Sequence, residues 1–175
     1  MKVLVLDHDG VMCLSTEWGG RMKKIKKWKL ENPESEGYVN DSKIPSHVRM
    51  DNFNSKAVKV LNEILEITGA EIVVSSDWKL HCTLEELQNM FKEYGVIKSP
   101  IDITPNEVLK HMFDLEGDRV KEINTWLNNH PEITHWVAVD DLDLSELPNF
   151  VQTKKPYNEG IKQSGLKDKI IGFLS

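Results

Sequence analysis

The stretch Val3-Leu4-Val5-Leu6-Asp7-His8-Asp9-Gly10 decides the fold. A hydrophobic run begins at residue 3 and ends abruptly in two carboxylates followed by a glycine. Side chains at positions i and i+2 of an extended chain lie on the same side, so Asp7 and Asp9 arrive together at the end of a buried strand over about residues 2–7. Like charges this close repel each other, and a bound divalent cation would offset that repulsion. The stretch therefore predicts a metal-assisted site at a strand end.

The bulk composition is that of an ordinary globular protein. The chain has 175 residues, of which 39% are hydrophobic and 29% charged, and we expect a single domain over 1–175. The net charge of −6 argues against general coating of nucleic acid but leaves room for a local basic patch. No apolar run approaches the roughly 20 residues that cross a bilayer. Cys13 and Cys82 lack metal-ligand spacing, which favours a reduced, cytoplasmic chain.

Strand-like and helix-like segments alternate along the chain. Apolar or extended runs occur at about 2–7, 71–76, 101–105, 135–139 and 150–153, and helical patterns at about 57–67, 83–91, 118–129 and 163–174. This alternation predicts an α/β fold, a Rossmann-like three-layer sandwich with a mostly parallel central sheet. The region of about 12–54 interrupts the pattern as an insertion after the first strand. It contains a helical repeat with Thr16 as its expected cap.

Polar groups follow three of the predicted strands. Besides Asp7 and Asp9, they are Ser75-Ser76 and Asp140-Asp141. Ligands of open parallel sheets bind at the carboxyl ends of the strands, so these groups are expected to share one site. Each pair taken alone is also typical of a turn or a helix cap. Their coincidence at one edge favours a phosphate site.

These motifs resemble those of the haloacid dehalogenase (HAD) phosphohydrolase superfamily. Residues 6–11 resemble its first motif, 72–75 its second and 137–141 its fourth. Residues 68–79 and 122–127, and Thr153 ahead of Gly160-Ile161, resemble the HAD domain of Swiss-army-knife RNA-repair proteins. Residues 118–122 resemble the stretch before the last motif of phage polynucleotide kinase-phosphatase. The resemblance runs from residue 2 to about 166, excluding about 12–54.

The resemblance implies a Mg²⁺-dependent phosphomonoester hydrolase. Asp7 would be the nucleophile that forms an aspartyl-phosphate, and Asp9 the general acid and then the base. Mg²⁺ would be held by the Asp7 carboxylate, the Asp9 backbone carbonyl and Asp140, while Asp141 holds a metal-bound water or orients a neighbour. The expected phosphate contacts are the Ser75 hydroxyl, the Ser76 backbone N–H and Gly10.

A cation must neutralise the transferred phosphoryl group. By the same resemblance Lys121 is the preferred residue, because the phage phosphatase carries its lysine at the corresponding place. Arg119 and Lys79 compete with it.

The insertion is expected to select the substrate. Its basic segment, 21–29, indicates either a lid that holds a nucleotide or nucleic-acid end, or a solvated amphipathic helix packed on the domain. Trp78 is either a base-stacking residue or a core tryptophan. The predicted substrate is a phosphorylated small molecule or nucleic-acid end, most simply a nucleotide or nucleic-acid phosphate. The alternatives are a phosphatase for an unrelated metabolite and a non-catalytic HAD-like domain that binds phosphorylated ligands or a partner. The intact aspartates favour the enzyme.

Overall fold

The structure, a computed structural model, describes residues 1–35, 43–106 and 114–175. Its centre is a parallel sheet with strand order β3-β2-β1-β4-β5. All four strand pairings are parallel. The strands are β1 (Lys2–Leu6), β2 (Glu71–Val74), β3 (Asp102–Ile103), β4 (His135–Asp140) and β5 (Phe150–Gln152).

Helices cover both faces of the sheet. They are α1 (Arg21–Glu31), α2 (Ser46–Arg49), α3 (Ser55–Thr68), α4 (Leu84–Glu93), α5 (Leu115–Asn128) and α6 (Leu166–Phe173). Leu4 and Leu6 of β1 belong to one buried cluster with residues of α3, α4 and α6. Val3 and Val5 point to the opposite side and belong to a second cluster with α5. This confirms the predicted α/β sandwich, in which alternate residues of a buried strand feed two hydrophobic layers.

Local capping explains where α3 begins and ends and where α4 begins. The Asn54 side chain accepts hydrogen bonds from the first turn of α3, and α3 ends at Gly69, whose φ of 69° is the left-handed conformation that glycine favours. Thr83 and Glu86 form a reciprocal capping box at the start of α4.

The insertion differs from expectation at its helix. Thr16 does not cap α1; its hydroxyl donates to Glu17, and α1 begins at Arg21 after Gly20. Every residue of α1 is exposed or half-buried. Other parts of the described insertion are buried in the domain, and Met12, Leu14 and Ile44 are almost fully so. The sequence Asn32-Pro33-Glu34-Ser35-Glu36-Gly37, which is typical of a break in regular structure, lies partly outside the described residues. Among the helices of the described ranges, none is long and apolar enough to cross a bilayer.

Candidate active site

Strand register brings the predicted acids together. Leu6 of β1 lies opposite Val139 of β4 and opposite Val74 of β2, so the residues that follow each strand meet at one edge. The Asp7 N–H donates to the Val139 carbonyl at 3.0 Å. Because all these strands are parallel, their carboxyl ends form a common crevice.

The crevice contains a cluster of three carboxylates. Oxygens of Asp7, Asp140 and Asp141 lie within 4.8 Å of one another. Burial raises the pKa of Asp7 against the opposing charge of Arg119, and with the additional charge of Asp141 that pKa is about 6. Burial and the charge of Asp7 likewise raise the pKa of Asp140, and burial raises that of Asp141. Three crowded hard-oxygen donors fit Mg²⁺, whose charge would offset their repulsion.

Asp9 stands at the mouth of the crevice, outside this cluster. The residue as a whole is exposed, but its carboxylate turns inward and accepts a hydrogen bond from Trp78 Nε1 at 2.8 Å. Desolvation raises the pKa of Asp9, while the bonds from Trp78 and the Cys13 thiol oppose that shift. A carboxyl group with a raised pKa at the mouth is suited to proton transfer.

The cation beside the carboxylates is Arg119. Its Nη1 donates to Asp140 Oδ2 at 2.8 Å, to Asp7 Oδ1 at 3.3 Å and to the carbonyl of Ser75. Its Nη2 donates to Asp77 Oδ1 at 3.1 Å. The guanidinium therefore bridges both of the predicted acidic motifs.

The geometry goes against the preference for Lys121. Lys121 is exposed, and the described cleft lining does not include it. The backbone turns by about 100° per residue in a helix, so a residue two positions beyond Arg119 points away from the sheet. Lys79 is buried, and its Nζ donates to Glu122 Oε2 at 2.6 Å and to Thr104 Oγ1 at 3.0 Å. It supports the site from behind the wall formed by Glu122.

The three residues predicted to contact phosphate have different surroundings in the structure. The Ser75 hydroxyl is buried and accepts from Thr104 Oγ1 at 3.4 Å, whereas Ser76 lines the cleft. The Ser76 hydroxyl bonds to the Asp7 carboxylate and lowers its pKa. The Gly10 N–H donates to the Cys13 carbonyl at 2.9 Å. Ser76 is therefore better placed than Ser75 or Gly10 to donate to a phosphate.

Gly10 has a conformational role instead. Its φ is 71°, and a Cβ built there would lie 2.9 Å from the Cβ of Asp141. A side chain at this position would strain the backbone and displace a carboxylate of the cluster.

Trp78 is a core residue and not a stacking platform. It is 5% exposed and lies in an aromatic cluster, with its ring centroid 5.8 Å from Phe53 and 4.8 Å from His8. The His8 ring also packs against Phe91. His8 points away from the acids, and burial lowers its pKa to about 3, which keeps the ring neutral.

Two acids on the opposite wall of the cleft were not predicted from the sequence. Asp118 and Glu122 of α5 line the cleft together with Asp77 and the acids of the first motif, around a volume of about 130 Å³. Both α5 carboxylates are buried. The available signal was their i, i+4 spacing on either side of Arg119, which places the two carboxylates on one helix face.

Helix α1 lies near the mouth through its N-terminal end. Asp51 accepts from the Arg21 N–H at 2.8 Å, and the Arg21 charge lowers the pKa of Asp9. Lys24 fixes the helix to the body, because its Nζ donates to the carbonyls of His47 and Met50 at 2.6 Å each. The remaining basic side chains of α1 are exposed: Arg21, Lys23, Lys26, Lys27 and Lys29.

Comparisons with known proteins agree with this geometry. The family model described as the HAD domain in Swiss Army Knife RNA repair proteins matches residues 3–164. Searches of the curated proteins and of the solved structures gave no match. The matched region contains every strand end described above and both walls of the cleft. The chain therefore belongs to the HAD-domain family of Swiss Army Knife RNA repair proteins, and that membership supports a phosphatase of the HAD type in general.

Proposed function

We propose that this protein is a Mg²⁺-dependent phosphomonoester hydrolase that acts through an aspartyl-phosphate on a nucleotide or nucleic-acid phosphate end. One observation carries the proposal. A buried carboxylate, Asp7, lies against both a fixed guanidinium and a carboxylate cluster suited to a divalent cation, while a second acid stands at the mouth. Together they would supply a nucleophile, a fixed positive charge, a site for a metal ion and a proton donor in one cleft.

Asp7 is the proposed nucleophile. With its pKa raised to about 6, it is largely ionised at neutral pH and can attack phosphorus. An oxygen of Asp7 forms a bond to phosphorus while the bond from phosphorus to the ester oxygen breaks. Arg119 holds Asp7 in place, and its guanidinium stabilises charge on the phosphoryl oxygens. Ser76 is the proposed hydroxyl donor to those oxygens.

Asp9 is the proposed acid and base. Its raised pKa favours the protonated form that gives a proton to the leaving oxygen. The resulting carboxylate then takes a proton from the water that attacks the aspartyl-phosphate, which releases phosphate and restores Asp7. Trp78 keeps the Asp9 carboxylate in position throughout.

Asp7, Asp140 and Asp141 are the proposed side-chain ligands of Mg²⁺, with the Asp9 backbone carbonyl as a further ligand. The ion would supply charge neutralisation for the phosphoryl group. The other residues act on the substrate and on protons.

The nucleic-acid part of the proposal has two supports. The family is described by its occurrence in RNA repair proteins. In addition, the exposed basic side chains of α1 begin beside Asp9 and could contact phosphates beyond the scissile one. The cytoplasmic location belongs to the same proposal.

A panel of phosphate esters tests the enzymatic proposal. Purified protein should release phosphate from an aryl phosphate, from nucleotides and from 3′- or 5′-phosphorylated oligonucleotides with MgCl₂. Release should stop with EDTA or in the Asp7→Asn variant. A folded wild-type protein that is inert towards the whole panel at saturating Mg²⁺ would support the alternative, a non-catalytic phosphate-binding domain. Strong preference for a non-nucleotide ester would support a small-metabolite phosphatase.

The role of α1 is tested separately. Replacement of Lys23, Lys26, Lys27 and Lys29 by glutamine leaves the anchor Lys24 intact. We expect the rate on phosphorylated oligonucleotides to fall and to lose much of its salt dependence, because contacts to phosphates release counterions. The rate on an aryl phosphate should be unchanged. Equal losses on both substrates would remove the nucleic-acid argument from α1.

A further inference from the structure

The α5 wall of the cleft carries two carboxylate oxygens without a hydrogen-bond donor. Asp118 is 7% exposed and Glu122 is 2% exposed, one helical turn apart. Within the described part of the chain, no donor reaches Asp118 Oδ2 or Glu122 Oε1. Buried polar atoms are nearly always hydrogen-bonded, so an unpaired acceptor on a cleft wall is available to a hydrogen-bond donor on a bound group.

The positions of the neighbouring groups show which oxygens are available. Glu122 Oε2 is occupied by Lys79 at 2.6 Å and lies 4.0 Å from Arg119 Nε. Glu122 Oε1 is therefore the free oxygen of that carboxylate. The same Arg119 reaches Asp7 through Nη1 at 3.3 Å. A group bound to the α5 carboxylates would thus be separated from the proposed nucleophile, Asp7, by the Arg119 guanidinium and would lie next to the phosphate ester.

The negative charges that line the cleft favour a ligand group that donates hydrogen bonds. The described cleft lining has six carboxylates, from Asp7, Asp9, Asp77, Asp118, Glu122 and Asp141, and one cation, Arg119. The cluster of described residues that could hold a metal contains Asp7, Asp140 and Asp141 but neither α5 acid. A second phosphate would be repelled here. An ammonium group, with three N–H donors, could satisfy both free oxygens, and a hydroxyl, with one O–H donor, could satisfy either of them.

We propose that Asp118 and Glu122 form a subsite that accepts hydrogen bonds from a hydroxyl or ammonium group carried by the leaving group close to the scissile phosphate. The subsite rests on the proposed function, because that function places an ester in the cleft and the subsite requires its leaving group to lie on the α5 side. In a nucleic-acid end, the fitting group is a ribose hydroxyl next to the phosphate.

Matched pairs of phosphate esters test the subsite. Glycerol 2-phosphate and isopropyl phosphate share a carbon skeleton and differ in hydroxyls; 2-aminoethyl phosphate and ethyl phosphate differ in an ammonium. Adenosine 3′-monophosphate and its 2′-deoxy form differ in one hydroxyl beside the phosphate. We expect wild-type kcat/KM to favour the donor-bearing member of at least one pair by about tenfold or more, as a bond to a charged acceptor predicts. The pair that responds identifies the donor.

Binding separates this inference from the proposed function. Asp7→Asn protein, which should not turn over, is titrated with the same pairs in MgCl₂ by calorimetry. A preference in binding without turnover by the wild type would refute the enzymatic proposal and leave the subsite standing. Equal kcat/KM and equal binding within every pair would overturn the subsite, and neither measurement needs a substitution in α5.

The Asp118→Asn variant tests whether the α5 carboxylates cause the preference for the donor-bearing ester. The variant replaces a free acceptor by an amide whose nitrogen is a donor, whereas Glu122 is left intact because it pairs with buried Lys79. The matched control is Glu116→Gln, an exposed carboxylate on the same helix that does not line the described cleft. Asp118→Asn should reduce the preference, measured as the ratio of the two kcat/KM values within a pair, towards unity, and Glu116→Gln should preserve that ratio. A preference that survives Asp118→Asn would refute the assignment.

Discussion

Replacement of Arg119 by methionine is the substitution that separates the two candidate cations. The guanidinium makes bonds of 2.8 Å to Asp140 Oδ2, 3.3 Å to Asp7 Oδ1 and 3.1 Å to Asp77 Oδ1. Loss of one partner of a buried ion pair costs about 3–5 kcal/mol. Asp7 and Asp140 would respond by binding protons, because Arg119 holds their pKa values down, and this favours the lower end of that range.

Two measurements follow from these contacts. A loss of about 3 kcal/mol would lower Tm by about 6–12 °C in a domain of this size. Without its charge on the phosphoryl oxygens, kcat should fall by about 10²–10³-fold, as when an electrostatic donor is removed from other active sites. The assays are thermal unfolding in EDTA and steady-state hydrolysis of an aryl phosphate in MgCl₂.

Matched variants make the outcome specific. Arg119→Lys keeps the charge, but one ammonium cannot span the acceptors that the planar guanidinium reaches, so intermediate losses are expected. Lys121→Met removes an exposed charge from the same helix and should change Tm and kcat little. The reasoning is refuted if Lys121→Met is as damaging as Arg119→Met, or if Arg119→Met retains activity within about twofold.

Three further predictions address the acids and the glycine. Relative to wild type, metal-free Asp7→Asn should gain stability as pH rises from about 4 to about 6: native Asp7, with its pKa of about 6, binds a proton that the unfolded carboxyl, at 3.8, has lost. Urea unfolding measures this, and a constant difference across that window would contradict it. Trp78→Phe removes the donor to Asp9, whose hydrogen bond lowers the pKa of that carboxyl, and should therefore move the Asp9 limb of the pH–rate profile to higher pH; an unchanged profile would separate Trp78 from proton transfer. Gly10→Ala should weaken Mg²⁺ binding, measured by calorimetry, because the new Cβ would lie 2.9 Å from Asp141 Cβ.

Gly69 provides the control for the glycine substitution. It has a φ of 69°, close to that of Gly10, but a Cβ there would meet nothing within 4 Å among the described residues. Gly69→Ala therefore introduces similar backbone strain without a clash at the site. If both variants bind Mg²⁺ equally, the close approach to Asp141 is not what requires a glycine.

The fold and the acids of the site were predictable because they depend on local patterns. A buried strand that ends in two acids, and strands that alternate with capped helices, fix the topology of the sheet and hence the edge at which Asp7 and Asp140 meet. The alternation of side chains along a strand did not predict the positions of residues beyond the end of that strand. Strand β2 stops at Val74, so Ser75 and Ser76 do not follow a strand repeat, and only Ser76 of the two lines the cleft.

Which basic residue of α5 reaches the carboxylates depends on its position around the helix. Arg119 lies four residues before Ile123 and seven before Trp126, which places it on the buried face of α5, and Lys121 falls outside that series. The free oxygens of Asp118 and Glu122 could not be predicted, because they depend on which donors the folded chain brings near. The same holds for Trp78, whose position in a short 3-10 helix, Asp77–Leu80, turns its ring into the core and its N–H towards Asp9.

The most direct test of the central claim is whether Asp7 becomes phosphorylated during turnover. Wild-type protein is mixed with a good phosphate ester and MgCl₂, quenched rapidly and treated with borohydride, which reduces an acyl phosphate to an alcohol. Peptide mass spectrometry then reads position 7. We predict homoserine in place of Asp7 in a substrate- and Mg²⁺-dependent fraction of the protein, and unmodified Asp9. Reduction at another carboxylate, or phosphate release with no trapped residue under any quench time, would contradict the claim that Asp7 is the nucleophile.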